Sequence, residues 1–218
     1  SFTVPDSVTE LGRNIFYNAS AMNSLTVERF MIPAYDEQTD EALLPTKLFD
    51  KVSSLFGAAT YNATDGTLRP VSNLFYIAEN SVAVPKALES VTVEEMAYVP
   101  DSFLHDLSSL RSATLRIPAT YEEIWEIAPV IGDSAFAGCT ALTDLTIDGT
   151  YNAIGESAFE GMAFTQFSVP SSVESIDDYA FANTGLTSFT VPDSVTELGR
   201  NIFYNAAQLS SLTIERMS

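Results

Sequence analysis

The chain has 218 residues, 46% of them hydrophobic, with 29 Asp and Glu against 10 Lys and Arg, a net charge of −19. That length and apolar content allow a sizeable core, and the charge repels nucleic acid phosphates and anionic lipid surfaces. Cys139 and His105 are single copies of their residue types, which removes an intramolecular disulfide, most metal sites and Cys–His or Ser–His catalysis.

The first element, 1–29, opens on SFTVPDSVTELGRNIFYNA, and the same 19 residues recur at 188–206. Extended to Arg29 and Arg216, the two copies agree at 24 of 29 positions. Within the copy, "SFTV" alternates polar and apolar residues as a half-buried strand does, and Pro5 ends it because proline offers no N–H to the next rung. "LGRNIF" (11–16) then brings Phe16, and "MNSLTV" (22–27) reads as the next strand. The chain starts on Ser, inside a patterned segment, so we expect a mature or trimmed piece of something longer.

Further along, the pattern of apolar anchor, turn and short strand recurs. Anchors fall at Phe16, Phe49, Val82, Phe103, Phe136, Phe159, Phe181 and Phe203, spaced by 33, 33, 21, 33, 23, 22 and 22 residues. Strands follow at "LESVTV" (88–93), "LTDLTI" (142–147), "FTQFSV" (164–169), "LTSFTV" (186–191) and "LSSLTI" (209–214). Three insertions interrupt the unit, near 29–45, 57–76 and 118–129. No unit this small buries its own anchor, so the units must stack, Phe over Phe, as about eight coils of one array over 1–218. Gly12, Gly132, Gly155 and Gly199 each follow a unit's Leu or Ile, and we expect them to supply an unusual backbone angle at a tight turn.

The tandem segments "IGDSAF", "IGESAF", "IDDYAF" and "LGRNIF", each leading to a strand such as "LTSFTVP", resemble the BspA-like leucine-rich repeats, whose consensus runs L-x-x-L-x-L-P-x-x-[LV]-x-x-I-g-x-x-A-F-x-x-C-x-x-L. The likeness is strong over 131–216 and 1–29 and degraded over 40–117. It implies an α/β leucine-rich-repeat solenoid, rich in β, with short parallel strands stacked along one face and short turns or helical segments on the other. It also implies a secreted or surface-attached protein, typically of a host-associated bacterium, concerned with adhesion and binding. The family pattern carries no catalytic motif and no cofactor.

Cys139, in "AFAGC", falls in a slot of mostly small or apolar residues and reads as packing. His105 reads as a solvated loop residue. Asp177–Asp178, Glu122–Glu123 with Glu126, and Asp36–Glu37 with Asp40–Glu41 could pair carboxylates for glycoside hydrolysis, but surface solvation accounts for them. The Asp-Gly steps at 65–66 and 148–149 read as turns in place of calcium loops. Thr26, Thr92, Arg116, Thr146, Ser168, Thr190 and Thr213 form a mostly hydroxyl row along the strands. Asn18 and Asn62 head glycosylation sequons, which matter only in a host that uses them.

Binding is expected in the insertions, because loops on a rigid scaffold carry function. Tyr35, Tyr61, Tyr121 and Trp125, the single tryptophan, are the candidate anchors. For Trp125 and Ile124 an inward role covering the array is an equal reading. The expected function is a non-catalytic extracellular binding or adhesion module facing a host protein, matrix component or glycan. A structural spacer within a longer surface array is the alternative, and a carbohydrate-active enzyme a distant third. Neither nucleic acid nor direct membrane insertion is expected.

Overall fold

Short S-x-T-x segments, too brief to fold alone, become strands by lying side by side in register. The computed structural model describes residues 1–5, 7, 19, 21–28, 34–36, 41–43, 59–62, 67–70, 88–96, 98, 99, 101, 103–117 and 129–215. One parallel sheet runs in the spatial order β1 (Phe2–Val4), β2 (Ser24–Val27), β7 (Ser90–Val93), β8 (Ser112–Ile117) and β10 (Asp144–Gly149). Strands β13 (Ser188–Val191) and β15 (Ser211–Ile214) pair the same way further along. A second parallel ladder joins the two-residue strands β9 (Val130–Ile131), β11 (Ala153–Ile154), β12 (Ser175–Ile176) and β14 (Glu197–Leu198). Most of the described coils thus add one rung to each ladder, and turns close the circuit. Among the described residues there is no helix, so the return path consists of turns alone, and no helix is long and apolar enough to cross a membrane.

Two antiparallel hairpins depart from this scheme, β3 (Ala34–Asp36) with β4 (Glu41–Leu43) and β5 (Ala59–Asn62) with β6 (Thr67–Pro70). Both fall inside stretches that break the repeat in the sequence.

The core is a column of side chains. Phe136, Phe159 and Phe181 are fully buried, with centroids 5.4 Å apart at 7° and then 5.2 Å at 21°. Half-buried Phe203 continues the column at 6.1 Å and 24°. Each anchor donates its backbone N–H to the coil after it: Phe136 to the Ala158 carbonyl (2.8 Å), Phe159 to Ala180 (2.9 Å) and Phe181 to Ile202 (2.9 Å). Phe16, Phe49 and Val82 lie outside the described residues.

The coil at 98–117 corrects the sequence register. Leu104, not Phe103, donates to Ala135 (2.7 Å) and so holds the anchor position, 32 residues before Phe136. Strand pairing agrees, with Ser112 opposite Asp144 and Val99 bridging Ile131. Chemistry decides between the two registers. With Leu104 as anchor, Leu107 and Leu110 enter the buried slots of Cys139 and Leu142, and Asp106 takes an exposed corner. The register read from Phe103 would place the Asp106 carboxylate in the Cys139 slot, where an unpaired charge is costly.

Corners are made by left-handed backbone. One set is Ser134, Ser157, Tyr179 and Asn201 (φ 54–57°), and the other is Asp106, Gly138, Gly161, Asn183 and Asn205 (φ 53–76°). The glycines after isoleucine or leucine do something else, contrary to the sequence reading: Gly132, Gly155 and Gly199 are absent from these corners. A Cβ on Gly155 would lie 2.4 Å from Asp133 Oδ1, and one on Gly199 would lie 2.3 Å from the Asp178 nitrogen. Gly155 and Gly199 are glycine because the preceding coil passes too close.

Candidate functional site

The residue types that carry chemistry are engaged in holding coils together. Cys139 is fully buried, and its S–H donates to the Leu104 carbonyl at 2.8 Å. Burial pushes its thiol up to about 12, a backbone hydrogen bond from Leu107 offsets part of this, and the Asp106 charge adds to it. Such a thiol is neutral and poorly nucleophilic, in keeping with a packing role. Burial likewise raises the Tyr151 phenol, and burial together with the Asp101 charge raises Tyr98.

The acidic residues of the turns form a second ladder. Asp101 Oδ1 accepts the Asp133 N–H (2.9 Å), Asp133 Oδ1 accepts the Glu156 N–H (2.9 Å), and Asp178 Oδ1 accepts the Arg200 N–H (2.6 Å). The Asp177–Asp178 pair is therefore split in role. Asp178 caps the next coil, while Asp177 accepts from the Asp178 N–H at 3.1 Å. This carboxylate ladder satisfies backbone donors that no strand pairs, each such bond contributing roughly 1 kcal/mol net. His105 is half-buried, where the sequence placed it in solvent: its Nε2 meets Asp106 Oδ2 at 3.1 Å, and its Nδ1 is buried without a partner. Among the described residues no group of three or more His, Cys, Asp or Glu is arranged to hold a metal ion.

The outward face of the strands is a hydrogen-bonding lattice. Register aligns Ser24, Ser90, Ser112 and Asp144 in one row, and Thr3, Thr26, Thr92, Thr114 and Thr146 in the next. Rungs stand about 4.8 Å apart and alternate residues on one strand about 7 Å apart. Thr114, not Arg116, belongs to the hydroxyl row. Because β8 extends two residues beyond its neighbour, Arg116 sits one pleat further on the same face. There it bonds Glu94 and faces Asp148 (Nε–Oδ2 3.9 Å). Asp148–Gly149 consequently ends strand β10 and is no turn: a Cβ on Gly149 (φ 131°) would collide with the Ile117 carbonyl.

This lattice is interrupted at Gln166–Val169, between β10 and β13, where the chain joins neither strand. Phe167 turns inward instead, its ring 4.8 Å from Phe159 and 5.4 Å from Phe181. An open notch of about 630 Å³ results, lined by Phe167, Val169, Phe189, Thr190, Pro192 and Glu215 among others.

The turn side carries a cluster that sequence reasoning missed. Tyr179 and Tyr204 meet edge to face, with centroids 6.0 Å apart at 71°, and Asn201 Nδ2 donates to the Tyr179 hydroxyl (2.9 Å). Beside them Asn205 donates to Asn183 and Asn183 to Glu160, each at 2.9 Å. The signal was present in "DDYAFAN" and "NIFYNA", where aromatic and amide residues stand in turn slots that elsewhere hold Ser, Gly or Ala.

Of the anchors expected from sequence, Tyr121 and Trp125 lie outside the described residues. Backbone pairing puts Tyr35 in β3 opposite Ala42 and Tyr61 in β5 opposite Leu68. They occupy separate hairpins.

Parallel coils with a rung on each of two ladders, a column of Phe, and Leu at fixed offsets from it define a leucine-rich-repeat solenoid. The model of the BspA type leucine rich repeat region matches in six copies over residues 1–36 and 120–217, and the chain belongs to that family. No curated protein matches the chain. Among solved structures it is similar to a leucine-rich repeat protein from Bacteroides ovatus (18% identity, 98% of this chain and 49% of that one, TM-score 0.47). It is also similar to a leucine rich cell surface protein from Faecalibacterium prausnitzii (20% identity, 73% and 46%, TM-score 0.41) and to the pneumococcal vaccine antigen PcpA (21% identity, 60% and 29%, TM-score 0.26). The chain spans less than half the length of each of these.

Proposed function

We propose that the chain is a non-catalytic binding module that works outside the cell, presenting its surface and insertions to a host protein, a matrix component or a glycan. The observation that carries this reading is the division of labour among its polar groups. Cys139, Asp133 and Asp178 serve the stack, whereas the Ser and Thr rows and the Glu94–Arg116–Asp148 row face outward in fixed register. A preorganised surface binds with less loss of side-chain freedom than a mobile one. Membership of a repeat family found on surface proteins supports the extracellular location. The net charge of −19 argues against nucleic acid and anionic lipid partners. Within this reading Tyr121, Trp125, Tyr35 and Tyr61 are the anchors of the insertions, since Tyr and Trp are the residues interfaces favour.

The test is binding of the folded chain to immobilised matrix proteins and to a glycan array, followed by Tyr121→Ala and Trp125→Ala. A folded chain silent on both would overturn the reading. Turnover of any polysaccharide would overturn its non-catalytic part.

The uniform hand-off of backbone hydrogen bonds from coil to coil favours a second reading, a spacer that holds another domain away from the surface. Deleting two coils would then shorten the reach of that domain without changing any binding.

A further inference from the structure

We infer that the turn edge around Tyr179 and Tyr204 is a binding platform for a neutral saccharide, an inference that rests on the binding reading above and gives it a site and a ligand class. The first observation is strain. Tyr179 holds φ 57° in a corner slot filled in the neighbouring coils by Ser134, Ser157 and Asn201. Small polar residues tolerate the left-handed region, but a bulky ring there is an outlier of the kind that collects at functional positions. What the strain achieves is placement: it sets the Tyr179 and Tyr204 rings edge to face, and Asn201 fixes the Tyr179 hydroxyl.

The second observation is an exposed ring in contact with one whose hydroxyl is held. Tyr204 is 59% exposed although its neighbour is locked in place, and its backbone carbonyl accepts from the Asn183 N–H at 2.7 Å. An exposed aromatic ring suits the C–H face of a pyranose ring. The third observation is the column beside it. Asn205 donates to Asn183 and Asn183 donates to Glu160, each amide using one of its hydrogens. The second hydrogen of each amide, the Asn205 carbonyl oxygen and the other Glu160 oxygen are left over, so the edge offers both donors and acceptors. Sugar hydroxyls, each both donor and acceptor, can use both kinds of group.

A protein hot spot would need an apolar pocket closed off from water, and this edge is exposed and rich in carboxamides. An anionic sugar would meet Glu160 and a net charge of −19, while Arg200 already lies 3.8 Å from Asp178. The ligand is therefore neutral.

Saturation-transfer NMR with lactose, N,N′-diacetylchitobiose and sialyllactose tests the assignment. Arg13, Asn14, Tyr17 and Asn18 repeat the residues Arg200, Asn201, Tyr204 and Asn205, so the comparison is made in a Tyr17→Ala background. A neutral disaccharide is expected to bind, to weaken about tenfold or more in Tyr204→Ala through loss of the stacked face, and to hold in Tyr204→Phe. An unchanged melting temperature shows that Tyr204→Ala has not lost its fold. Sialyllactose binding more tightly than lactose, or equal binding in the presence and absence of the Tyr204 ring, overturns the inference. So does a chain that binds matrix protein but neither neutral sugar, a result that leaves the broader binding reading standing.

Discussion

Replacing Phe159 by Ala tests the stacked column at its centre. The ring is fully buried between Phe136 at 5.4 Å and Phe181 at 5.2 Å, and Phe167 and Phe164 close its sides at 4.8 Å and 6.0 Å. A buried Phe→Ala change costs roughly 3–5 kcal/mol in lost transfer and residual cavity. Aromatic pairs add about 0.5–1.5 kcal/mol each beyond area, so the cost belongs at the upper end, about 5 kcal/mol. The cavity cannot close easily, because hydrogen bonds above and below fix the coil separation: Phe136 to Ala158 and Phe159 to Ala180. The comparison is Phe203→Ala, where the ring is half-buried with Phe181 at 6.1 Å and Phe189 at 4.9 Å, and about 2 kcal/mol is expected. Urea unfolding followed by circular dichroism measures both. Equal losses in the two variants would refute the idea that the column derives its stability from being enclosed on both sides.

Three other outcomes follow from the geometry. Alkylation of Cys139 by iodoacetamide should be negligible in the folded chain near neutral pH and rapid in denaturant. Because the folded thiol is raised from 9.0 to about 12, its contribution to stability is full below pH 9 and is lost as the pH climbs towards 12, so Cys139→Ala should flatten the alkaline fall in melting temperature. Gly155→Ala should cost about 1–3 kcal/mol in overpacking and be partly rescued by Asp133→Ala, whose carboxylate is the nearest obstacle, whereas Gly199→Ala, blocked by the backbone of Asp177 and Asp178, should show no such rescue. Asp178→Ala should lose roughly 1 kcal/mol in chemical denaturation with the Arg200 N–H bond, and Asp178→Asn should keep most of it.

Much of the array was legible because burial repeats. A 22- or 23-residue interval between Phe136, Phe159, Phe181 and Phe203 can serve only a stacked column, and the alternation in "SFTV" and "SLTI" gave the parallel strands. What misled was chemistry that depends on the adjacent coil. Phe103 outranks Leu104 as an anchor by type, but the choice is made by where Asp106 must go. Gly155 and Gly199 look like turn glycines, yet the requirement comes from atoms 21 to 23 residues earlier. Arg116 was assigned to the hydroxyl row because nothing in "ATLRI" states that β8 runs two residues past its neighbour. The Tyr179–Tyr204 pair escaped notice for the same reason, being visible only once adjacent coils are superposed. The anchors expected in the insertions had composition as their sole support, and the break at Gln166–Val169 carries no sequence mark that separates "FTQFSV" from its strand-forming neighbours.

The carboxylate ladder has a consequence for how such a chain can change length. Neighbouring coils share recurring kinds of socket: the later coil gives a carbonyl to the anchor N–H, the earlier coil in most cases gives a carboxylate to the corner N–H, and most coils present a strand edge. A whole coil can be removed or inserted and the anchor N–H still finds a carbonyl. A single added residue shifts all of them at once unless it falls between the ladders. Length in this molecule is therefore counted in turns of the coil, as the links of a chain are counted, and the sequence shared by residues 1–19 and 188–206 is one such link used twice.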